Sequence, residues 1–257
     1  MNFKYILGCI LCVPLLPIMY FQGKKIRHKT PKLPEAIEPK GFIDNHFEKT
    51  LQIITIGEST IAGVGVEKHK NGFTGALAKQ LSKNSQNNIN WRVYAKSGYT
   101  AKQVCSKIVP KIEEKTADII VIGLGGNDAF TLNTPKKWSK DIYNLIYLLQ
   151  LKFPDTPIYF TNMPPIKEFP AFTKLIKFVI GNLVEILGKE LKKDIKAFEN
   201  VYYNDENITL KTWSKRHKLP DSNNSTMYFS DGVHPSEFTY KVWGIEMANF
   251  ISKKNPK

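Results

Sequence analysis

Residue types that could carry out acyl transfer occur in widely separated segments of this chain. Ser59 follows the apolar run 51–56, in the sequence GES. Asp231 and His234 stand three residues apart in SDGVHPSE, so one carboxylate can reach the imidazole Nδ1 while Nε2 faces outward. A serine nucleophile, a histidine base and an orienting aspartate are the groups that attack ester carbonyls. These residues are therefore candidates for a catalytic triad.

Such chemistry also needs donors for the oxyanion that forms on the carbonyl. Gly98 lies in AKSGYTA, and Asn127 lies in GLGGNDAF, each after a predicted strand. The backbone N–H groups of Ser59 and Gly98 and the side-chain amide of Asn127 could fill this role. A helix that begins at Ser59 would add a favourable dipole. Glu58 and Asp128 are candidates for support of these turns.

Each residue also has an ordinary structural interpretation. Ser59 could be a turn residue, His234 a surface or capping histidine, and Asn127-Asp128 a loop. The order of the segments, each at a predicted strand end or before the final helix, favours a catalytic site.

Short apolar strands alternate with amphipathic helices in the pattern of an α/β protein. The predicted strands are 51–56, 89–94, 118–124, 157–161 and 199–203, and the predicted helices are 72–83, 100–115, 135–152, 172–196 and 236–252. This order predicts a three-layer α/β/α sandwich with a flavodoxin-like, mainly parallel five-stranded sheet. Ligands bind beyond the carboxyl ends of such strands, where the candidate residues fall.

The blocks GES at 57–59, Gly98, GGND at 125–128 and DGVHP at 231–235 resemble those of the SGNH (GDSL-type) hydrolases. The resemblance spans roughly 51–252 and is greatest to the bacterial lipolytic and thioesterase-like subgroup. It implies that Ser59, Gly98, Asn127 and His234 are the functional residues and that Asp231 completes the triad. The family usually has Asp at the position of Glu58, which we interpret as structural support for the serine turn.

The first forty residues differ in character from the rest. An uncharged run, 5–21, is followed by GKKIRHK, which favours an uncleaved membrane anchor over a signal peptide or a buried core segment. We expect an anchor or signal segment at 1–23, a basic, Pro-rich linker at 24–41 and a hydrolase domain at 42–257. The anchor and the basic linker would hold the protein at a membrane surface.

The positive charges after the apolar run predict an anchor in the bacterial inner membrane with the domain on the cytoplasmic face. A periplasmic or secreted location is the alternative. The net charge of +14 suits anionic partners. No RNA-binding motif, zinc-finger spacing or basic helix accompanies it, so nucleic acid is not an expected partner.

Neither a metal nor an organic cofactor is expected from the sequence. Cys9 and Cys12 lie in the apolar run and Cys105 is alone in the domain, so no intradomain disulfide or cysteine metal site is predicted. Cys105 falls in a predicted helix, as a buried thiol would. The sequence makes no prediction of oligomeric state.

The substrate side is predicted within the stretch 162–190. Its helical part could be a core helix, or Met163 to Phe172 could form an acyl-binding wall, with Met163 and Phe172 as contacts. The expected function is a serine ester hydrolase that cleaves acyl esters of lipids or of short to medium chains, or thioesters, through an acyl-enzyme. The alternatives are a carbohydrate or cell-envelope O-acetyl esterase and a non-catalytic tethered binding protein on a hydrolase fold.

Overall fold

The computed structural model describes residues 3–217 and 225–254, and the strands in this part form one mixed sheet. They are β1 (Lys40–Ile43), β2 (Thr50–Gly57), β3 (Asn88–Ala95), β4 (Ile119–Gly123), β5 (Ile158–Phe160) and β6 (Val201–Tyr203). Their order across the sheet is β1-β3-β2-β4-β5-β6.

Helices cover both faces of the sheet. They are α1 (Phe3–Cys12), α2 (Leu16–Lys29), α3 (Phe73–Ser85), α4 (Ala101–Lys107), α5 (Gly126–Phe130), α6 (Pro135–Lys152), α7 (Lys174–Asp194), α8 (Leu210–His217), α9 (Ser225–Tyr228) and α10 (Glu237–Lys254).

The predicted fold class is confirmed. The predicted strands correspond to β2 through β6, which are parallel to one another and lie in the flavodoxin-like order. The sheet also contains β1, which was not predicted and pairs antiparallel with β3. An antiparallel edge strand on a parallel sheet is a common arrangement in α/β folds.

The core lies on both faces of the central strands. Ile54 and Ile56 pack toward α4, α6 and α7, whereas Ile53 packs toward α3 and α10. Successive side chains of a strand point to opposite faces. A strand that is covered on both faces therefore needs an unbroken apolar run, which explains the absence of alternation in the sequence.

The predicted helix 100–115 is shorter in the structure. It ends at Lys107 in α4, and a 3₁₀ turn covers Val109–Lys111. Pro110 has no N–H for the α-helical ladder and disfavours helical geometry at the residue before it. By contrast, α6 has its predicted bounds, with Thr134 accepting a hydrogen bond from the N–H of Lys137 at its N-terminus.

The prediction of a membrane-anchored protein in the bacterial inner membrane is wrong. The apolar run forms α1 and α2, which are separated by a 3₁₀ turn at Val13–Leu15. Pro14 and Pro17 cannot donate the hydrogen bonds of a continuous helix, and the second half of α2 carries several basic residues. Across 3–217 and 225–254, the structure contains no helix with the length and apolar character needed to cross a membrane.

The N-terminal helices instead pack against α7. Tyr5, Met19 and Ile26 contact the core cluster that includes the inner face of α7. The Thr173 hydroxyl, just before α7, donates a hydrogen bond of 2.5 Å to the side-chain carbonyl of Gln22. The segment is thus joined to the domain by apolar and polar contacts.

Candidate active site

The candidate residues follow three strands that end at the same level. In the parallel register, Gly57 of β2 pairs with Ala95 of β3 and with Gly123 of β4. The turns after these strands carry Ser59, Gly98 and Asn127. The sheet therefore brings the predicted nucleophile and the predicted oxyanion donors to one edge.

Ser59 lies in a compact turn directly after β2. The Glu58 N–H donates to the Gly123 carbonyl across the strand ends, and the Val64 N–H donates to the Ser59 carbonyl at 3.1 Å. The expectation that a helix begins at Ser59 is wrong, because the chain runs through turns until α3 begins at Phe73. Ser59 is therefore positioned by the backbone hydrogen bonds of this turn and not by the first turn of a helix.

The Glu58 carboxylate joins the Ser59 turn to the Asn127 turn. It is 4% exposed and accepts hydrogen bonds from the N–H groups of Gly126 and Asn127, each at 2.8 Å. Burial raises the pKa of Glu58 to about 7, although these hydrogen bonds oppose the rise. The glutamate therefore links two strand ends, a wider role than the predicted support of the serine turn alone.

Asn127 and Asp128 in turn contact the segment that follows Gly98. The Asn127 side-chain amide donates to the Tyr99 carbonyl at 3.1 Å, and since it carries two hydrogens, one remains for another acceptor. Asp128 is fully buried and accepts hydrogen bonds from the Ala101 N–H at 2.9 Å and from the Asn133 amide at 2.7 Å. Burial raises the pKa of Asp128.

Gly98 occupies the third position of an exposed turn from Lys96 to Tyr99. The Tyr99 N–H donates to the Lys96 carbonyl at 3.3 Å, and the Lys96 N–H donates to the Gly57 carbonyl at 3.2 Å. The φ of Gly98 is +84°, a value that a type II turn requires at this position and that favours glycine. The sequence therefore has glycine where the turn needs it.

Asp231 and His234 form the predicted pair. Asp231 Oδ2 lies 2.8 Å from His234 Nδ1, and Asp231 Oδ1 accepts hydrogen bonds from the N–H groups of Val233 and His234. The Asp231 side chain is 1% exposed and that of His234 is 21% exposed. Burial opposes ionisation of Asp231, but the hydrogen bonds from His234 and Val233 outweigh it and lower the pKa of the carboxyl.

The loop that carries this pair packs on the turn that follows Ser59. The Ser230 hydroxyl lies 3.3 Å from the Gly65 carbonyl oxygen, and the Tyr240 hydroxyl donates to the Val64 carbonyl at 2.8 Å. Among the residues that the structure describes, no hydrogen bond joins the Ser59 hydroxyl to the imidazole. Such bonds are often long without substrate and tighten when it binds.

Aromatic residues lie next to this loop. The Phe172 ring is 5.5 Å from that of Phe130 and 5.4 Å from that of Phe169. The Ala171 N–H donates to the Gly232 carbonyl, which attaches this segment to the Asp231–His234 loop. Phe130 is 41% exposed, so the pair of rings offers apolar surface beside the site. Sequence reasoning missed Phe130, although it is only three residues after Asn127.

Met163 lies deeper than Phe172. It is 8% exposed, and a Cβ placed on Gly125 would clash with its terminal methyl. Met163 therefore supports the backbone that leads into Asn127. It also lines a cavity of about 310 Å³ between the 163–168 segment and α7.

The remaining chemistry-bearing residues do not gather into a metal centre. Within the described part of the chain, no group of three or more His, Cys, Asp or Glu residues could hold a metal ion. The Cys105 thiol lies 3.5 Å from the Asp141 carbonyl oxygen, and burial raises the pKa of the thiol to about 12. Such a thiol stays protonated and is a poor nucleophile.

A known family matches most of this chain. The model of the GDSL-like lipase/acylhydrolase family matches residues 55–242, which include each of the candidate site residues. A search of curated proteins found no match.

Solved structures share the fold at low sequence identity. A lipase from a goat rumen metagenome is 17% identical, with 78% of this chain and 98% of the other covered and a TM-score of 0.56. A family 3 carbohydrate esterase of Clostridium thermocellum is 19% identical, with 80% and 94% covered and a TM-score of 0.55. A phospholipase A1 from Streptomyces albidoflavus NA297 is 14% identical, with 78% and 98% covered and a TM-score of 0.55.

Proposed function

The chain belongs to the GDSL-like lipase/acylhydrolase family, and on that premise we propose that it is a serine ester hydrolase that cleaves acyl esters through an acyl-enzyme. The single observation that carries this proposal is the Asp231–His234 pair. Its carboxylate is buried, its imidazole is partly exposed, and its loop packs on the turn that follows Ser59.

Each residue then has a defined step. The Ser59 hydroxyl attacks the ester carbonyl, and His234 Nε2 takes the hydroxyl proton and gives it to the leaving alcohol. Asp231 keeps the hydrogen on Nδ1, which leaves Nε2 as the base. Water then attacks the acyl-enzyme, with His234 again acting as the base.

The oxyanion forms among donors from different strand ends. The N–H groups of Ser59 and Gly98 and the free hydrogen of the Asn127 amide would bind it. The side-chain amide of Asn127 donates a hydrogen bond to the Tyr99 carbonyl, and the backbone N–H of Asn127 donates to Glu58. The amide is therefore already oriented before negative charge develops on the oxygen. Donors that are already oriented stabilise a transition state at little reorganisation cost.

Phe172 and Phe130 support an acyl ester as the substrate. Their exposed apolar surface lies beside both the Asn127 turn and the Asp231–His234 loop, where the acyl chain of a bound ester would lie. Met163 would contribute indirectly, because it supports the backbone that leads into Asn127. We therefore propose that the enzyme accepts esters with chains long enough to contact these rings.

A second candidate, a carbohydrate O-acetyl esterase, is favoured by the cavity lined by Met163. Its other lining residues include Lys167, Glu168 and Asn207, which are groups that could bind sugar hydroxyls. An acetyl group has no chain with which to fill the surface of the aromatic pair, so the two candidates predict different responses to removal of the Phe172 ring.

Nitrophenyl esters from acetate to dodecanoate, together with an acetylated sugar, separate these candidates. Phe172→Ala should lower kcat/KM for long chains about tenfold or more while leaving acetate hydrolysis nearly unchanged, since a buried aromatic contact contributes about 1.5–3 kcal/mol. Phe178→Ala, at an exposed phenylalanine of α7, is the matched control and should change kcat/KM neither for long chains nor for acetate. Equal loss for all chain lengths would refute the acyl contact, and preference for the acetylated sugar would favour the second candidate.

A further inference from the structure

The segment 30–39, named the strap here, precedes the part of the chain that matches the family model, yet it contacts two turns of the site. The Ala36 N–H donates to the Ala62 carbonyl at 3.0 Å, in the turn that follows Ser59. The Val93 N–H donates to the Pro39 carbonyl at 2.8 Å, near the end of β3. The strap therefore spans the β2 and β3 ends from outside the core.

Further backbone hydrogen bonds hold the strap in place. The Ile37 N–H donates to the Glu67 carbonyl at 2.9 Å, and the His69 N–H donates to the Ile37 carbonyl at 3.1 Å. A Cβ placed on Gly63 would lie 2.6 Å from that of Ala36, so the two backbones are in close contact. A Pro-rich segment loses little conformational entropy on docking, which favours this ordered arrangement.

Glu35 connects the strap to the turn that contains Gly98. Its Oε1 accepts a hydrogen bond from the Ser97 N–H at 2.7 Å, and its Oε2 lies 3.0 Å from Lys96 Nζ. Ser97 and Gly98 are the central residues of this exposed turn. A carboxylate bond to the Ser97 N–H therefore fixes the peptide unit that immediately precedes the Gly98 N–H.

The two contacts of Glu35 differ in strength. The ion pair with Lys96 is open to solvent, with the lysine side chain 53% exposed and the glutamate 28% exposed, and such pairs contribute little. The bond from the Ser97 N–H is charge-assisted and has a single fixed donor direction. The backbone bond, rather than the ion pair, is therefore the contact that orients the turn.

We propose that Glu35 is a positioning residue of the oxyanion hole, which holds the Gly98 N–H toward the substrate through the Ser97 peptide. This role rests on the proposed esterase function. It gives the strap a part in catalysis that neither the family match nor the sequence pattern assigns to it. Glu35 itself touches no reacting atom.

The test compares Glu35→Ala with Glu38→Ala, measured as kcat and KM on one nitrophenyl ester. Glu38 lies on the same strap but pairs with Lys68 at 2.6 Å and not with the turn that contains Gly98. Displacement of the Gly98 N–H lowers kcat less than complete loss of an oxyanion donor does. We therefore expect kcat of Glu35→Ala to fall about tenfold with little change in KM. Glu35→Gln keeps an oxygen for the Ser97 N–H and should recover most of the rate, whereas Glu38→Ala should match the wild type.

A double-mutant cycle with Gly98→Ala separates positioning from general loss of structure. If Glu35 acts through Gly98, Glu35→Ala should cause no further loss of kcat once the Gly98 turn is already displaced. Equal losses in both backgrounds, a loss confined to KM, or an equal loss in Glu38→Ala would overturn the proposal. Melting temperatures of both strap variants verify that they are folded.

The result also distinguishes this role from the function on which it rests. A wild-type protein with no activity on any ester would refute the proposed function and this role together. An active wild type whose Glu35→Ala variant keeps the full kcat would refute the role of Glu35 alone.

Discussion

The two halves of the candidate site are held together by different kinds of contact. The oxyanion half consists of the turns that carry Ser59, Gly98 and Asn127, and its hydrogen bonds join residues far apart in sequence. Glu58 binds the backbone of Gly126 and Asn127, and Asp128 binds that of Ala101. This half is fixed by the sheet and by buried carboxylates.

The acid–base half consists of Asp231 and His234, and its hydrogen bonds are local. Asp231 accepts hydrogen bonds from the backbone N–H groups of Val233 and His234 and from the imidazole of His234. The loop contacts its surroundings through Ser230, beside the turn that follows Ser59, and through the Gly232 carbonyl, which accepts a hydrogen bond from the Ala171 N–H. Helix α10, which follows the loop, contacts the same turn through Tyr240.

This difference has a consequence for function. Donors that must meet a transition-state charge gain from a rigid frame. A histidine base must exchange a proton in turn with a serine, a leaving group and water. A hydrogen-bonded pair that is close in sequence, such as Asp231 and His234, keeps the imidazole correctly oriented through these steps. We therefore expect substitutions in the two halves to differ in the size of their effect on kcat, and the buried carboxylate of the oxyanion half to affect the pH dependence of stability as well.

His234→Ala should have the largest effect. Removal of the base should lower kcat by about 10⁴-fold or more, because a serine hydroxyl is a weak nucleophile without one. The measurement is hydrolysis of a nitrophenyl ester under saturating conditions. His217→Ala is the matched control, since His217 also pairs with a carboxylate, Glu246, at 2.8 Å but lies on α8. Comparable losses in both variants would contradict the assignment.

Asn127→Ala should have the next largest effect, confined to kcat. Loss of one oxyanion donor typically costs about 10²- to 10³-fold in kcat. KM should change little, because the ground-state carbonyl carries little charge. Asn162→Ala is the control, because Asn162 also follows a strand, β5, but its amide is committed to the Glu206 carbonyl. A rise in KM with unchanged kcat for Asn127→Ala would show that this amide binds substrate instead.

Glu58→Gln should have the smallest effect on catalysis and a clear effect on the pH dependence of stability. Burial raises the pKa of Glu58 to about 7 from an ordinary 4.5, so the folded protein binds this proton more tightly than the unfolded chain. The free energy of unfolding should therefore fall as the pH rises through this window, by roughly 2 to 3 kcal/mol between pH 5 and pH 8. The variant lacks this titration and should lose less stability over the same interval.

Denaturant unfolding of both proteins at pH 5 and pH 8 measures this difference directly. Comparison of the two pH changes cancels the contributions of other groups. If the wild type and Glu58→Gln lose the same amount of stability, the Glu58 carboxyl does not titrate in the buried link between the two turns.

Many of the strands and helices that position the site were predictable, because the sequence features that indicate them are local. The unbroken apolar runs of β2 and β4 and the proline at the start of α6 identified these elements. Asp231 and His234 could be paired from their spacing alone. Strand β1 was missed because its short run, Lys40–Ile43, follows a Pro-rich segment and pairs with β3, a strand distant in sequence.

The errors arose where long-range contacts decide the outcome. The N-terminal run is apolar enough to suggest a span, but prolines divide it and its helices pack on α7. The partners of Glu58 are nearly seventy residues away, so the sequence could not show that one carboxylate would join two turns. Glu35 lies in a segment whose composition indicates only a linker.

The most direct test of the proposed active site is the position of covalent modification by a fluorophosphonate, which reacts with activated serines. We predict that peptide mass spectrometry finds the label on Ser59 alone, and that Ser59→Ala and His234→Ala are not labelled. An unlabelled wild type that is folded would support a binding protein on a hydrolase fold. Labelling that persists in His234→Ala at the wild-type rate would contradict the convergence of these two residues on one site.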